Sequence, residues 1–155
     1  MILNEALRLA KDKPIISQTN FINNGTPTTK ILGSGERAGV IKSFESAFGK
    51  PPQTETDWSD CLKIASGRWP GQKNTKAEAN AEAAFKKIYL RSAKRNNSND
   101  NAAVTIISYG LRPAKRNLNS EKAAIKSFRA IYGYAPKSTS AWDIVRAIAY
   151  SGARR

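Results

Sequence analysis

The sequence IKSFESAFG at residues 41–49 returns as IKSFRAIYG at residues 125–133, 84 positions later. The same offset relates Trp58 to Trp142. A middle copy is expected halfway between them, and the segment AEAAFKKIYL at residues 81–90 fits that place. A fixed period of about 42 residues is typical of tandem helical repeats. We therefore expect three copies of one helix–loop–helix module, with bounds at residues 36–74, 75–117 and 118–155.

Each copy has the pattern of two amphipathic helices. In the third copy Ile125 and Phe128 follow the spacing of one buried helix face. Gly133 is suited to a left-handed cap at the end of the first helix, and Pro136 prevents its continuation. The repeated Phe and Trp side chains, together with Cys61, are interpreted as core residues. Because one hairpin cannot bury both faces of its helices, we predict an all-α fold in which the three modules stack on a shared core.

The N-terminal segment, residues 1–35, lies outside the repeat. Residues 3–11 predict one short helix. The Asn24-Gly25 pair lies between apolar pairs, which is compatible with a small β-hairpin, although an extended arm or a docked loop is an alternative. The segment is therefore predicted to be a helix followed by an extended arm. It has early charges and no long apolar stretch, so we expect neither a secretory signal nor a membrane helix.

Acidic side chains are interpreted as residues that start helices. Ser140 with Asp143, and Thr75 with Glu78, have the spacing of capping boxes. The densest acidic stretch contains Glu55, Asp57 and Asp60. Carboxylates at a helix start favour the helix dipole and cap free N–H groups, so a structural role is expected for this stretch.

The net charge is +14, from 26 Lys and Arg against 12 Asp and Glu. It is +2 over residues 1–35, zero over 36–70, +7 over 71–116 and +5 over 117–155. This excess predicts a polyanionic partner, such as nucleic acid, an anionic membrane surface or an acidic wall polymer. A basic surface that serves only solubility is the alternative.

Two sets of basic residues are candidates for binding nucleic acid. One set follows the second helices of the modules and could line one edge of a stack: Lys73, Arg112, Lys115, Arg116, Arg154 and Arg155. The other set runs from the first helix of the middle copy into its loop and would lie at the opposite edge: Lys86, Lys87, Arg91, Lys94 and Arg95. Such edges attract phosphates and read no sequence by themselves.

Three aromatic residues near the ends of second helices could stack on bases. They are Trp69, Tyr109 and Tyr150. The alternative is that these rings close the core at the helix ends.

Enzyme chemistry is not expected. The chain has no histidine and one cysteine, which excludes Ser-His-Asp and Cys-His arrangements and cysteine-based zinc sites. It also contains no phosphate-binding loop motif of the GxxxxGK[ST] type. We therefore predict no catalytic residue, no cofactor and no metal site.

The strings DWSDCLKIASGRWP (57–70) and AWDIVRAIAYSGARR (141–155) resemble a helical repeat module in proteins of unknown function from Patescibacteria, the candidate phyla radiation. The resemblance covers about residues 36–155. Those proteins are often secreted or attached to the surface, so the resemblance implies an extracytoplasmic location if this chain is a fragment. It implies no catalytic residue. A weaker similarity is to Myb or SANT repeats, in which a helix ending in Tyr-Gly precedes a helix led by Trp.

These observations predict a non-catalytic binding protein for polyanions, with nucleic acid bound at little sequence specificity. The alternative is a cell-surface or envelope module that is structural or adhesive and binds acidic wall polymer. A protein partner is a third possibility, because stacked helical hairpins often present a groove.

Overall fold

The computed structural model describes residues 2–155, and all regular secondary structure in that range is helical. The eight helices are α1 (Ile2–Lys11), α2 (Pro14–Asn24), α3 (Ser34–Phe48), α4 (Glu55–Ala65), α5 (Thr75–Tyr89), α6 (Ser98–Tyr109), α7 (Leu118–Tyr132) and α8 (Thr139–Tyr150). The predicted all-α fold is confirmed.

Helices α3 to α8 form three consecutive pairs, here called the first (α3–α4), second (α5–α6) and third (α7–α8) pair. The first helix of every pair has 15 residues. Each of these helices carries a pair of aromatic rings four residues apart in its last turns. The ring centroids are 4.6 Å apart for Phe44 and Phe48, 4.4 Å for Phe85 and Tyr89, and 4.5 Å for Phe128 and Tyr132.

The three pairs do not contact one another in the same way. Helix α6 packs against α8, and α3 contacts both of them. Helix α4 instead packs against α1. The first pair is therefore joined to the other two mainly through α3, while an N-terminal helix covers α4.

The first helices end in the same backbone conformation but with different residues. Gly49 and Gly133 cap α3 and α7 in the left-handed region, at φ of 80° and 82°. The cap predicted at Gly133 is thus confirmed. Leu90 caps α5 in the same region, at φ of 60°, and is the one described residue other than glycine with a positive φ. The left-handed region disfavours a side chain that has a Cβ.

A tyrosine hydroxyl ties the two helices together in the second and third pairs. Tyr109 Oη accepts a hydrogen bond from Asn74 N (2.9 Å) and donates one to Glu78 Oε2 (2.6 Å). Tyr150 Oη accepts a hydrogen bond from Asn117 N (3.1 Å) and donates one to Glu121. We call these two arrangements the tyrosine bridges. Each connects the end of a second helix to the start of the first helix of the same pair.

The capping boxes predicted at Ser140 and Thr75 are wrong. The N-cap residues are Ser138 for α8 and Asn74 for α5. Glu78 has no free capping role because its carboxylate binds Tyr109 and Arg95.

Helix α4 has the capping box that the sequence reading missed, in which Thr54 and Asp57 bond reciprocally. The neighbouring Asp60 accepts hydrogen bonds from Gly71 N (2.6 Å) and Gln72 N (3.0 Å), and so fixes the loop after α4. The structural role predicted for Asp57 and Asp60 is confirmed by these bonds.

The N-terminal segment is helical where an extended arm was predicted. Helix α2 occupies Pro14–Asn24, and Gly25 ends it instead of forming a β-hairpin turn. Arg37 closes the end of this helix by donating to Ile22 O (3.0 Å) and Asn23 O (3.3 Å). No helix within residues 2–155 has the length and apolar character needed to cross a membrane.

Candidate nucleic-acid interface

An open groove of about 840 Å³ lies between α3, α8 and residues 112–116, which follow α6. The loop before α3 forms one rim through Ile31, and the start of α8 forms another through Ser138 and Thr139. The groove is therefore built from parts of all three helix pairs.

The groove is lined by more positive than negative side chains. Its six cationic residues are Lys42, Arg112, Lys115, Arg116, Lys137 and Arg146, and its two carboxylates are Glu36 and Glu121. Within residues 2–155, three of the cations, Lys42, Lys115 and Lys137, enter no ion pair. All three are exposed, so their charge is available to a ligand in solvent.

The floor of the groove is a network of buried charges centred on Arg112. Arg112 donates to Glu36 Oε2 from Nε (3.1 Å) and to Gly110 O from Nη1 (2.5 Å). Its Nη1 also lies 3.8 Å from Asp143 Oδ1, which accepts hydrogen bonds from Arg146 Nη1 (2.9 Å) and Ser43 Oγ (3.1 Å). We call Glu36, Ser43, Arg112, Asp143 and Arg146 the Arg112 network.

Burial shifts the pKa values inside this network. It lowers the pKa of Arg112 to about 10, with the adjacent charge of Arg146 acting in the same direction. It raises the pKa of Asp143 to about 6, against the pull of Arg112 and Arg146. The carboxylates and guanidinium groups of the network are therefore mostly ionised at pH 7, and they contribute to the electrostatic potential at the groove floor.

Arg112 reaches this position because two glycines leave room for it. A methyl group on Gly39 would lie 2.6 Å from Arg112 Nη2, and one on Gly67 would lie 2.6 Å from Arg112 O. The backbone of Arg112 is further held by a hydrogen bond from its N–H to Ile64 O (3.0 Å).

Trp142 lines the groove wall and is 39% exposed. It occupies the fourth position after the N-cap of α8, as Trp58 does in α4. Trp58 is fully buried, with the ring of Phe21 from α2 edge-on to it at 5.4 Å. The expectation that both Trp residues are core residues is therefore confirmed for Trp58 and wrong for Trp142.

Four of the residues predicted to bind nucleic acid meet at the groove. Lys115 and Arg116 lie on its rim, and Tyr150 lines it as well. Arg112, the fourth, is only 2% exposed and bonded on several sides, so its assignment as a direct phosphate ligand is wrong. Arg116 is exposed but paired with Glu121, with Nε 3.0 Å from Oε2.

Arg154 and Arg155 lie with the other predicted set, not with Arg112. Arg154 O accepts a hydrogen bond from Arg91 Nη2 (2.6 Å), and Arg155 Nε donates to Ile88 O (3.2 Å). The residues after α8 therefore fold back over the end of α5. The predicted single edge is wrong for these two arginines, because the chain direction after α8 differs from that after α6.

The other predicted basic residues lie outside the groove lining. Lys73, Lys86, Lys87 and Lys94 are exposed, and Lys87 Nζ sits 4.6 Å from the centre of the Tyr132 ring. Arg91 is bonded to Asp100 at 2.6 Å. Arg95 is held between Glu78 and Glu82, at 2.8 Å from each. These two arginines are partly neutralised by their carboxylate partners.

The three predicted stacking residues occupy different environments. Tyr109 is 2% exposed and stacks on Phe48 at 5.5 Å, so its assignment as a base-stacking residue is wrong. Tyr150 is partly buried and its hydroxyl belongs to a tyrosine bridge. Trp69 is 52% exposed and lies outside the groove lining.

Four basic or aromatic residues of the groove were not among the predicted binding residues: Lys42, Lys137, Arg146 and Trp142. Lys42 and Trp142 were visible as repeat positions, since Lys42 pairs with Lys126 and Trp142 with Trp58 at one offset. The offset could not show that α3 and α8 lie side by side.

Comparisons with protein-family models, with curated proteins and with solved structures find no match to this chain.

Proposed function

We propose that this chain is a non-catalytic binding protein for nucleic acid and that phosphates bind in the basic groove. The observation that carries the proposal is the convergence of Lys42, Lys115 and Lys137, each exposed and without an ion pair in the described chain, on one open groove. A phosphate backbone carries condensed counterions, and exposed lysines without an ion-pair partner can displace and release them.

The start of α8 adds to the field in the groove. The N–H groups at a helix start carry partial positive charge, and Ser138 and Thr139 at the start of α8 line the same groove as Lys42 and Lys137. Contacts of this kind go to phosphate oxygens and not to base edges, so binding with little sequence preference is expected.

Binding is tested by titrating the wild-type chain with random oligonucleotides at about 50 mM salt, where counterion release favours binding most. The variant Lys42→Gln/Lys115→Gln/Lys137→Gln should bind at least ten-fold more weakly. The matched control Lys76→Gln/Lys122→Gln/Lys126→Gln removes the same charge from exposed positions outside the groove and should change affinity far less.

Equal losses in the two triple variants would contradict the groove as the site. An absence of any binding by the wild type at low salt would contradict nucleic acid as the ligand. In that second outcome, binding to acidic wall polymer would support the envelope function that the Patescibacterial resemblance suggests. Binding to a protein alone would support a scaffold.

We also propose that the three helix pairs are tandem copies of one module, as the sequence period suggests. The equal lengths of α3, α5 and α7 and the matching aromatic pairs support this. The two tyrosine bridges support it for the second and third pairs. Equal losses of stability from Tyr109→Phe and Tyr150→Phe would be further support, whereas grossly unequal losses would count against equivalence.

A further inference from the structure

Two aromatic side chains line the groove, and Trp142 is more exposed than the partly buried Tyr150. Trp142 is 39% exposed, and Lys42, Lys115 and Lys137 line the same groove. Trp69 is more exposed, at 52%, but lies outside this basic lining. Only at Trp142 does the described chain combine an exposed indole with unpaired positive charge in a concave site.

Trp142 is exposed, whereas the tryptophan at the equivalent position of the first pair is buried. Trp58, at the same place in the first pair, is fully buried and contacts the ring of Phe21. The middle pair has Asn101 at this place. An exposed indole loses the burial energy that its counterpart gains, which is on the order of 1–3 kcal/mol for a large apolar side chain. A partner that covers the ring would recover that energy.

We propose that Trp142 is a base-stacking platform and that the groove binds single-stranded nucleic acid in preference to duplex. This inference rests on the proposed function and specifies its substrate class. The face of an indole can stack only on an unpaired base, because the faces of paired bases are covered by their neighbours in the duplex.

The shape of the groove favours the same occupant. Its volume of about 840 Å³ falls in the range of pockets that enclose small ligands, so it accommodates a base with its sugar and phosphate. A shallower depression shares Lys42, Ser138 and Thr139 with the groove and extends towards Gly49. Protein elements that read a duplex are convex and enter its grooves, whereas this site is concave. A strand can therefore pass along the depression with one base against Trp142.

The test measures affinity for short oligo-dT and for a duplex of equal length, using wild type, Trp142→Ala, Trp142→Phe and Trp69→Ala. Oligo-dT is expected to bind wild type more tightly than the duplex does. Trp142→Ala should weaken oligo-dT binding by about 5- to 150-fold, the usual range for loss of one stacked base. Trp142→Phe should retain most of the affinity, and Trp69→Ala should match wild type.

The salt dependence separates this inference from the proposed function. Trp142→Ala should leave the slope of log affinity against log salt unchanged, because stacking releases no counterions. If Trp142→Ala and Trp142→Phe both bind oligo-dT like wild type, the stacking role is overturned while phosphate binding stands. If neither nucleic acid binds wild type, the proposed function fails as well.

An acidic peptide is the rival occupant of a basic groove. Poly-Glu that binds more tightly than oligo-dT, with its affinity also reduced by Trp142→Ala, would overturn the inference in favour of a protein partner. Thermal unfolding of each variant identifies loss of fold. If Trp142→Ala is unfolded, Trp142→Leu replaces it as the variant without an aromatic ring, and Trp69→Ala remains the control. Weaker oligo-dT binding by Trp142→Leu than by Trp142→Phe supports the aromatic platform. Equal binding by these two variants overturns it.

Discussion

The side chain of Arg112 touches all three helix pairs. It follows α6 of the second pair, bonds to Glu36 of the first pair at 3.1 Å, and lies 3.8 Å from Asp143 of the third pair. A buried charge must be paired to be tolerated, and here the partners come from distant parts of the chain. The Arg112 network therefore ties the three pairs together at the groove floor.

The pH dependence of stability should report the buried carboxyl of Asp143. Its pKa is raised from 3.8 to about 6 in the folded chain, so the protonated form favours folding. This contribution is complete below about pH 4 and is lost as the pH rises through about 6. Relative to Asp143→Asn, which does not titrate, wild type should lose on the order of 1–3 kcal/mol between these pH values.

Urea unfolding of both proteins at several pH values measures this difference. A stability difference between wild type and Asp143→Asn that stays constant, or shifts in favour of wild type as the pH rises, would contradict the expected direction. It would mean that the pull of Arg112 and Arg146 on the Asp143 carboxylate exceeds the effect of burial.

Leu90 is strained where the equivalent residues are glycines. Its φ is 60° and its side chain is 70% exposed, so little apolar burial offsets the strain. Leu90→Gly should raise the free energy of unfolding by about 1 kcal/mol. Gly133→Ala is the matched control, because its φ is 82° and a methyl group there meets no atom within 4 Å. Gly133→Ala should lower the free energy of unfolding by a similar amount. A loss of stability in Leu90→Gly would contradict the account, because it would show that the contacts of the leucine side chain outweigh its backbone strain.

At the scale of the element, the tyrosine bridges hold the second and third pairs closed. Burial alone would raise the pKa of Glu78, but hydrogen bonds from Tyr109 and Arg95 hold this pKa below its usual range. Burial and the bond to Glu78 raise the pKa of Tyr109 to about 12. The phenol therefore remains a donor across the physiological range.

Removing either hydroxyl should destabilise the fold. Tyr109→Phe and Tyr150→Phe should each lower the free energy of unfolding by about 1–3 kcal/mol, because a carboxylate and a backbone N–H both lose their partner. Tyr132→Phe is the control, since the Tyr132 hydroxyl has no hydrogen-bond partner within residues 2–155. Thermal or urea unfolding measures all three, and equal stability of Tyr109→Phe and Tyr132→Phe would contradict the role of the bridge.

The helices of the three pairs could be predicted from sequence because their apolar residues recur at helical spacing and, except for α5, Gly or Pro follows their ends. Helix α2 was missed although its signals were present. Pro14 at its start and Gly25 after its end are typical of helix termini. The Asn24-Gly25 pair also fits a hairpin turn. The choice between the two depended on residues outside α2: Arg37 bonds to the end of the helix, and Trp58 packs against Phe21 within it.

At the scale of the whole molecule, the docking of α3 beside Arg112 depends on Gly39, which has no side chain. Helix propensity alone predicts that Gly39→Ala gains up to about 1 kcal/mol. The structure predicts a loss of about 1–3 kcal/mol, because the methyl group would lie 2.6 Å from a buried guanidinium nitrogen. Gly35→Ala lies in the same helix, faces open space and should be neutral or stabilising. A gain in both variants would show that α3 docks differently.

The candidate site could be predicted only in part. Lys115 and Arg116 were found because local charge is visible in a sequence. Lys42 and Trp142 were not, because they come together only when α3 packs beside α8, and that contact differs from the contacts between the other pairs. A repeat predicts what each module contains, whereas unequal contacts between modules determine which surfaces remain open.

The salt dependence of binding tests the central claim, that the groove lysines bind a phosphate backbone. The logarithm of the affinity of wild type for oligo-dT should fall linearly with the logarithm of the salt concentration. The Lys42→Gln/Lys115→Gln/Lys137→Gln variant should have a slope smaller by about two, since each phosphate contact on a single strand contributes about 0.7. Identical slopes for wild type and this variant would mean that the groove lysines contact no phosphate, and would contradict the proposed function of the groove.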